Sequence, residues 1–257
     1  MARHAARPDP ADPGRSTIVP EPDESRPGSP PRTAAGRFWA GARETAILLA
    51  LALGLAVLLR TFVVQAFYVP SESMVPTLEK DDRIVVSKLS TDIGGVDRGQ
   101  VVVFRDPGDW LDEPTASASG PRKALVSVLT FVGLLPSDSG DDLVKRVVGV
   151  GGDHVVCCDK KGRITVNGQA LDETYLDPGD APSLTPFDVV VPEGHLWVMG
   201  DNRSNSQDSR YHEQQQPGGG MVPVGNVIGR AVVVVWPFQH WETLPVPKTF
   251  ATVPAPS

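Results

Sequence analysis

Two serines two residues apart, Ser71 and Ser73, lie between Pro70 and Pro76 in the run PSESMVPTL at 70–78. In extended backbone that spacing puts both hydroxyls on one side, and the prolines, with fixed φ and no N–H, disfavour a helix there. On this fragment alone the run reads as readily as an ordinary Ser/Pro stalk joining anchor to domain. A lysine interrupts the apolar run LVKRVVG at 143–149. In a strand Val144 and Arg146 share one face, and Lys145 lies with Leu143 and Val147 on the other. Burial there disfavours the ammonium and turns Lys145 into a base near neutral pH; a roughly thousandfold change in its protonation equilibrium is about 4 kcal/mol. The alternative is a lysine whose stem lies on the sheet and whose ammonium reaches water. A third stretch, GDNRSNSQDSR at 200–210, is dense in hydrogen-bonding groups. Asp208 and Arg210 are spaced for a short ion pair, and a serine there can orient a neutral amine; a polar surface loop is the plainer reading.

The elements that must hold these groups read as strands. Short β-branched runs at 83–87, 100–104, 143–148, 154–158, 163–166, 188–191, 195–199 and 226–236 alternate with turn signals. Runs of that length and composition favour strands over helices. Asn167-Gly168 is a hairpin turn, since both residues accept positive φ, and 154–171 reads as a hairpin excursion. The expected fold is mainly β, a mostly antiparallel sheet behind one N-terminal transmembrane helix. Ala124 to Leu135 is apolar but too short to span a bilayer, leaving a core element or a surface insert on the membrane. QQQPGGG at 214–220 reads as a mobile loop.

The chain has 257 residues, 25 glycines, 25 prolines and a formal net charge of −7. So many turn formers argue against a helical bundle, and the acidic balance argues against nucleic acid as a partner. The charge is unevenly spread. Residues 1–43 carry seven arginines and five acids among Pro, Ser and Ala, a composition of disorder. From Thr45 to Leu59 no charge occurs, and apolar residues continue beyond Arg60. We therefore expect a disordered cytoplasmic tail at 1–43, a transmembrane signal anchor at 44–66, and an extracytoplasmic β-rich domain at 67–257. Val64-Gln65-Ala66 has the spacing of a signal cleavage site, but more than forty preceding residues are too many for a typical signal. Arg32, Arg37 and Arg43 flank the N-terminal side of the span, so that side is cytoplasmic.

Taken together, five stretches resemble bacterial type I signal peptidases, in that family's order: PSESMVPTL at 70–78, DDRIVVSKL at 81–89, RGQVVVF at 98–104, LVKRVVGVGGD at 143–153 and GDNRSNSQDSR at 200–210. The resemblance implies a membrane-bound serine endopeptidase that removes signal peptides from exported preproteins after Ala-x-Ala sites through an acyl-enzyme. It implies Ser73 as nucleophile, Lys145 as general base, and Ser71 with the Ser73 N–H as oxyanion donors. Ser206 would hold the Lys145 amine, Asp208 and Arg210 would shape the loop, and Asp201 and Arg146 would support the site. Phe67, Val69, Met74, Leu78, Leu143 and Val144 would line two shallow substrate pockets. The implied partners are signal peptides and the lipid bilayer, the enzyme is expected to be a monomer in the bacterial cell membrane, and neither metal nor organic cofactor is implied. The sequence departs from the family's usual residues at Asp81, Gln100 and Gly151, which touches turns more than chemistry.

Rival readings remain open. An anchored β-domain that binds exported or envelope proteins without cutting them would use the same segments as stalk, strand and loop. A penicillin-binding enzyme is excluded by the absence of Ser-x-x-Lys, and a zincin by the absence of His-Glu-x-x-His. Cys157 and Cys158, the chain's two cysteines, are either buried thiols or a disulfide between neighbours.

Overall fold

The computed structural model describes residues 34–108, 110–111 and 142–256. The apolar run at 124–135 and most of the N-terminal tail fall outside them. Helix α1 runs Ala34–Phe62. Within it Gly41–Leu58, of mean hydropathy 1.7, is long and apolar enough to cross a membrane. Its leucines Leu48, Leu49 and Leu51 are each two-thirds exposed, as expected of side chains meant for lipid. The helix starts ten residues before the expected span, because Ala34 to Arg43 is rich in helix formers.

The span also ends sooner than expected. Val64–Tyr68 is strand β1, so Val64, Gln65 and Ala66 belong to the β domain rather than to the anchor. An apolar run does not reveal where helix gives way to strand; the partner decides, and β1 pairs antiparallel with β2 (Arg83–Ser87) from Val64↔Ser87 to Tyr68↔Arg83.

Beyond β2 the described chain forms α2 (Leu89–Gly94), β3 (Val101–Arg105), β4 (Asp142–Val150), β5 (His154–Cys157), β6 (Ile164–Val166), β7 (Gln169–Ala170), β8 (Phe187–Val190), β9 (His195–Met199), α3 (Ser209–Gln215), β10 (Met221–Pro223), β11 (Val227–Trp236) and β12 (Glu242–Thr243). The main sheet has the order β1-β2-β11-β3-β4-β9-β10, with β12 on β11, and the smaller sheet β7-β6-β5-β8. Every pairing described is antiparallel, as expected. Register shifts between Ala231 and Val233 and between Val234 and Trp236 interrupt β11 against β2; such bulges bend the strand and increase its twist.

One core cluster fills the space under β1, β2, β3 and β11 with Phe67, Val69, Met74, Leu78, Ile84 and Val86. A second lies about Trp197, Val155 and Ile164, drawn from both sheets. Strand β4 is buried from Val144 to Gly149, because β3 and β9 flank it and clusters cover both faces. The β6–β7 hairpin turns on Asn167 and Gly168, at φ 51° and 78°. Of the two states open for the cysteines, the structure has the disulfide Cys157–Cys158 at the end of β5. Of the stretch 214–220, the first two residues complete α3 and the rest form an exposed turn that becomes buried at Gly220.

Candidate active site

Ser73 follows the β1 strand by five residues and Lys145 lies within β4, yet Lys145 Nζ is 2.7 Å from Ser73 Oγ. The amine also donates to the Val144 carbonyl at 3.1 Å. Lys145 is 3% exposed, and burial pulls its pKa from 10.5 down to about 8, against the opposing fields of Asp208 and Asp201. Ser71 Oγ is 3.2 Å from Ser73 Oγ. Ser73 therefore joins a buried, weakly basic amine on one side to an exposed serine on the other. An amine and a hydroxyl so placed have the chemistry of a proton acceptor beside an oxygen nucleophile.

The 200–210 loop locks this arrangement from the other side. The Asn202 N–H donates to the Ser73 carbonyl at 3.1 Å, and Asn202 Nδ2 donates to the Glu72 carbonyl at 3.1 Å. Gly200 lies so close that a Cβ would overlap Ser206 Oγ and the Ser73 carbonyl and stand 2.6 Å from Ser206 Cβ. Asp208 accepts from the Gly200 N–H at 2.9 Å and from Arg210 Nε and Nη2 at 2.9 and 2.7 Å. Burial pushes the Asp208 carboxyl up, but Arg210 and the Gly200 N–H outweigh it and hold it below the ordinary range. It is a fixed anion.

Asp201 makes a second buried ion pair. It accepts from Arg146 Nε and Nη2 at 2.8 and 2.6 Å and from Thr77 Oγ1 at 2.5 Å. Arg146 Nη1 donates to the Gly99 carbonyl at 2.8 Å, and its guanidinium lies 4.2 Å from the Tyr175 ring centroid. Burial works against the charge on Arg146, and Asp201 more than restores it.

Ser206 and the six apolar residues stand differently about the site. The bonds described for the Lys145 amine go to Ser73 and the Val144 carbonyl, while Ser206 packs against Gly200 and helps hold the Asp208 carboxyl below its ordinary range. The six apolar residues expected to line substrate pockets divide. Phe67, Val69, Met74, Leu78 and Val144 are buried members of one core cluster, Phe67 and Val144 from strands and the other three from the irregular chain after β1. Leu143 alone of the six lines the open cleft of about 570 Å³ over the dyad, with Pro70, Ser71, Glu72, Ser204, Asn205 and Tyr211 among its walls.

The sequence reading missed Trp110 and Leu111, which wall this cleft. Trp110 is fixed by its Nε1 bond to the Gly219 carbonyl, 2.9 Å, and by stacking on His212 at 4.2 Å. Burial lowers the pKa of that histidine. Also missed were Glu173, Tyr175 and Arg203. Arg203 was visible within a charged loop, but nothing local to Asp172-Glu173-Thr174-Tyr175 signals a partner thirty residues away. Among the described residues no cluster of His, Cys, Asp and Glu fit for a metal occurs.

Residues 42–236 match the family described as signal peptidase, peptidase S26. The chain belongs to that family. A relative from Mycobacterium tuberculosis named "Signal peptidase I" is 42% identical over 219 residues, 77% of this chain and 74% of its own. The Mycobacterium leprae protein "Probable signal peptidase I" is 41% identical, with 77% of each chain covered. "Signal peptidase I" of Leptolyngbya laminosa is 33% identical over 237 residues, 90% of this chain and 98% of its own. This signal peptidase thus carries the Ser73–Lys145 contact, the α1 helix and the β domain all within or overlapping the matched region.

Proposed function

We propose that the protein cuts signal peptides from exported preproteins after Ala-x-Ala sites, with Ser73 as nucleophile and Lys145 as the one base. The observation that carries this reading is the 2.7 Å Ser73–Lys145 contact in a site where the amine has a pKa of about 8. At pH 7 roughly a tenth of such lysines are neutral. In that state the Ser73 hydroxyl donates to Nζ, the Oγ–carbonyl bond forms, and Lys145 takes the proton. The oxyanion is met by Ser71 Oγ and the Ser73 N–H, each donor worth roughly 3 kcal/mol. Collapse breaks the C–N bond, and Lys145 returns the proton to the departing amine. A water deprotonated by the same lysine then hydrolyses the ester.

The apolar α1 helix supports membrane anchoring, and Arg32, Arg37 and Arg43, before the helix and near its start, support a cytoplasmic N-terminus. Both reacting groups come from one chain, which supports a monomeric enzyme.

The test uses the detergent-solubilised full chain, as wild type and Lys145→Ala, with a preprotein whose signal ends in Ala-x-Ala. A single cut after that alanine by wild type alone is expected, with kcat/KM rising with pH until about 8. Equal binding of an uncut preprotein by both proteins would instead establish the non-catalytic binding domain.

A further inference from the structure

The connection between β7 and β8, residues 171–186, contains neither helix nor strand. Irregular connections of that length inside a compact domain are uncommon and tend to be functional. This one lies against the 200–210 loop through a dense set of polar contacts. Arg203 Nη1 and Nη2 meet the two Glu173 carboxylate oxygens at 3.0 and 2.6 Å. Nη1 also donates to the Pro182 carbonyl at 2.8 Å, and Nη2 to Tyr175 Oη at 3.4 Å. The fifth donor, Nε, turns back to the Gly200 carbonyl at 3.0 Å. Nothing on this guanidinium is left to water: its side chain is fully buried and that of Glu173 is 3% exposed.

Two further contacts grip the loop beyond Arg203. The Ser204 N–H donates to Asp180 Oδ2 at 3.0 Å, and Arg210 Nη1 reaches Ser183 Oγ at 3.4 Å. Tyr175 joins the sets, donating to Glu173 Oε1 at 2.7 Å while its ring lies under Arg146. Glu173 therefore balances one buried arginine directly and is bonded to the residue that covers the other.

We propose that segment 172–183 is a brace that positions the 200–210 loop against Ser73 and Lys145, with Glu173 as its principal positioning residue. This rests on the peptidase reading of the site. Glu173 touches no reacting atom. It acts through Arg203, which fixes Gly200, and Gly200 is the residue that leaves room for the Ser73 carbonyl and Ser206. A loop cut free of Glu173 loosens the Asn202 N–H bond to Ser73, so the serine's position relative to the amine is lost before substrate binding is.

The charges predict the sign of an accompanying pH effect. Lys145 feels Asp201 and Asp208 from the loop, each paired with an arginine, Arg146 and Arg210. His212 of α3 and Lys145 also feel one another, and Arg203 is coupled to Asp201 as well as to Glu173 and Tyr175. Removing the Glu173 charge leaves Arg203 to draw on Asp201. The field at Lys145 becomes more positive and its ammonium less favoured.

Three full-length variants test this, with kcat and KM measured per folded enzyme and kcat/KM followed against pH. Glu173→Gln is expected to lower kcat about tenfold with KM within twofold, and to move the acid-limb midpoint down by about half a pH unit. Glu173→Asp keeps the charge, so its midpoint stays at the wild-type value while kcat falls through lost reach. Asp180→Ala, at the rim, is expected to lower kcat a few-fold; it decides the question if the Glu173 variants do not fold. A role in folding alone would lower the yield of folded protein while leaving kcat and the midpoint of that protein at wild-type values, and this result overturns the brace. An inert wild type overturns the peptidase reading and the brace with it, whereas active wild type with three indistinguishable variants overturns the brace alone.

Discussion

On one face of β4 the Lys145 amine has a serine and a carbonyl for partners, with carboxylates acting on it only through space. On the other face, one residue along, the Arg146 guanidinium is forked onto Asp201, bonded to the Gly99 carbonyl and covered by Tyr175. Both cations are almost wholly buried. The difference is pairing. A buried charge with a full set of partners stays charged and serves as architecture, whereas a buried amine denied a contacting anion gives up its proton and becomes available for chemistry. Residue choice matches: arginine holds its charge and presents a rigid fork, and lysine titrates. The Arg203–Glu173 and Arg210–Asp208 pairs belong with Arg146, so the site is one titratable cation inside a frame of fixed ones.

The strongest way to break this contrast is Lys145→Met, which removes the titratable member. Proteolysis of a preprotein should fall by about a thousandfold or more, since one group serves as base in both steps. Stability should move the other way. The folded-state pKa of about 8 lies below the free value of 10.5, so from pH 8 to 10.5 the unfolded chain binds more protons and stability rises with pH. Below pH 8 the burial of Lys145 costs up to about 3 kcal/mol. Urea unfolding at pH 7 should therefore show the Met variant more stable than wild type, by a margin that vanishes as pH approaches 10.5.

Next in size is Gly200→Ala, which leaves both cations intact and separates them from the serine. The added methyl overlaps Ser206 and the Ser73 carbonyl, an overpacking expected to cost about 1–3 kcal/mol. Because displacement falls on Ser73, kcat should drop about a hundredfold while kcat/KM keeps its midpoint near pH 8. Arg146→Lys sharpens the contrast with the smallest change. A lysine keeps the charge but loses the fork, so thermal unfolding should show a loss of about 1–2 kcal/mol, with activity reduced only a few-fold in the peptide assay.

Much of this was legible in advance. The strands at 83–87 and 195–199 appear with the bounds read from their β-branched runs, and Asn167-Gly168 forms the hairpin it signals. Ser73 and Lys145, seventy-two residues apart, were paired by family resemblance, because strand alternation places Lys145 on a face without saying what lies opposite. What stayed hidden depended on tertiary contact. β1 reads as more of the same apolar run as the helix before it, and only pairing with β2 separates them. The apolar residues about Ser73 looked alike in sequence, and five of six turned inward to the core. Glu173 and Tyr175 sit in an aperiodic segment whose meaning comes entirely from Arg203 and Arg146, and the close packing of Ser206 on Gly200 is equally invisible in a polar run.

The join between α1 and β1 has a mechanical consequence. One residue, Val63, separates the last helical residue, Phe62, from the first strand residue, Val64, and Ser73 lies eleven positions beyond Phe62. Even pulled straight, eleven residues reach only about 36–40 Å, and five of them are already committed to a strand. With α1 seated in a bilayer, Ser73 is held on a short tether to the helix end, so any group it is to meet must be displayed close to where α1 leaves the membrane.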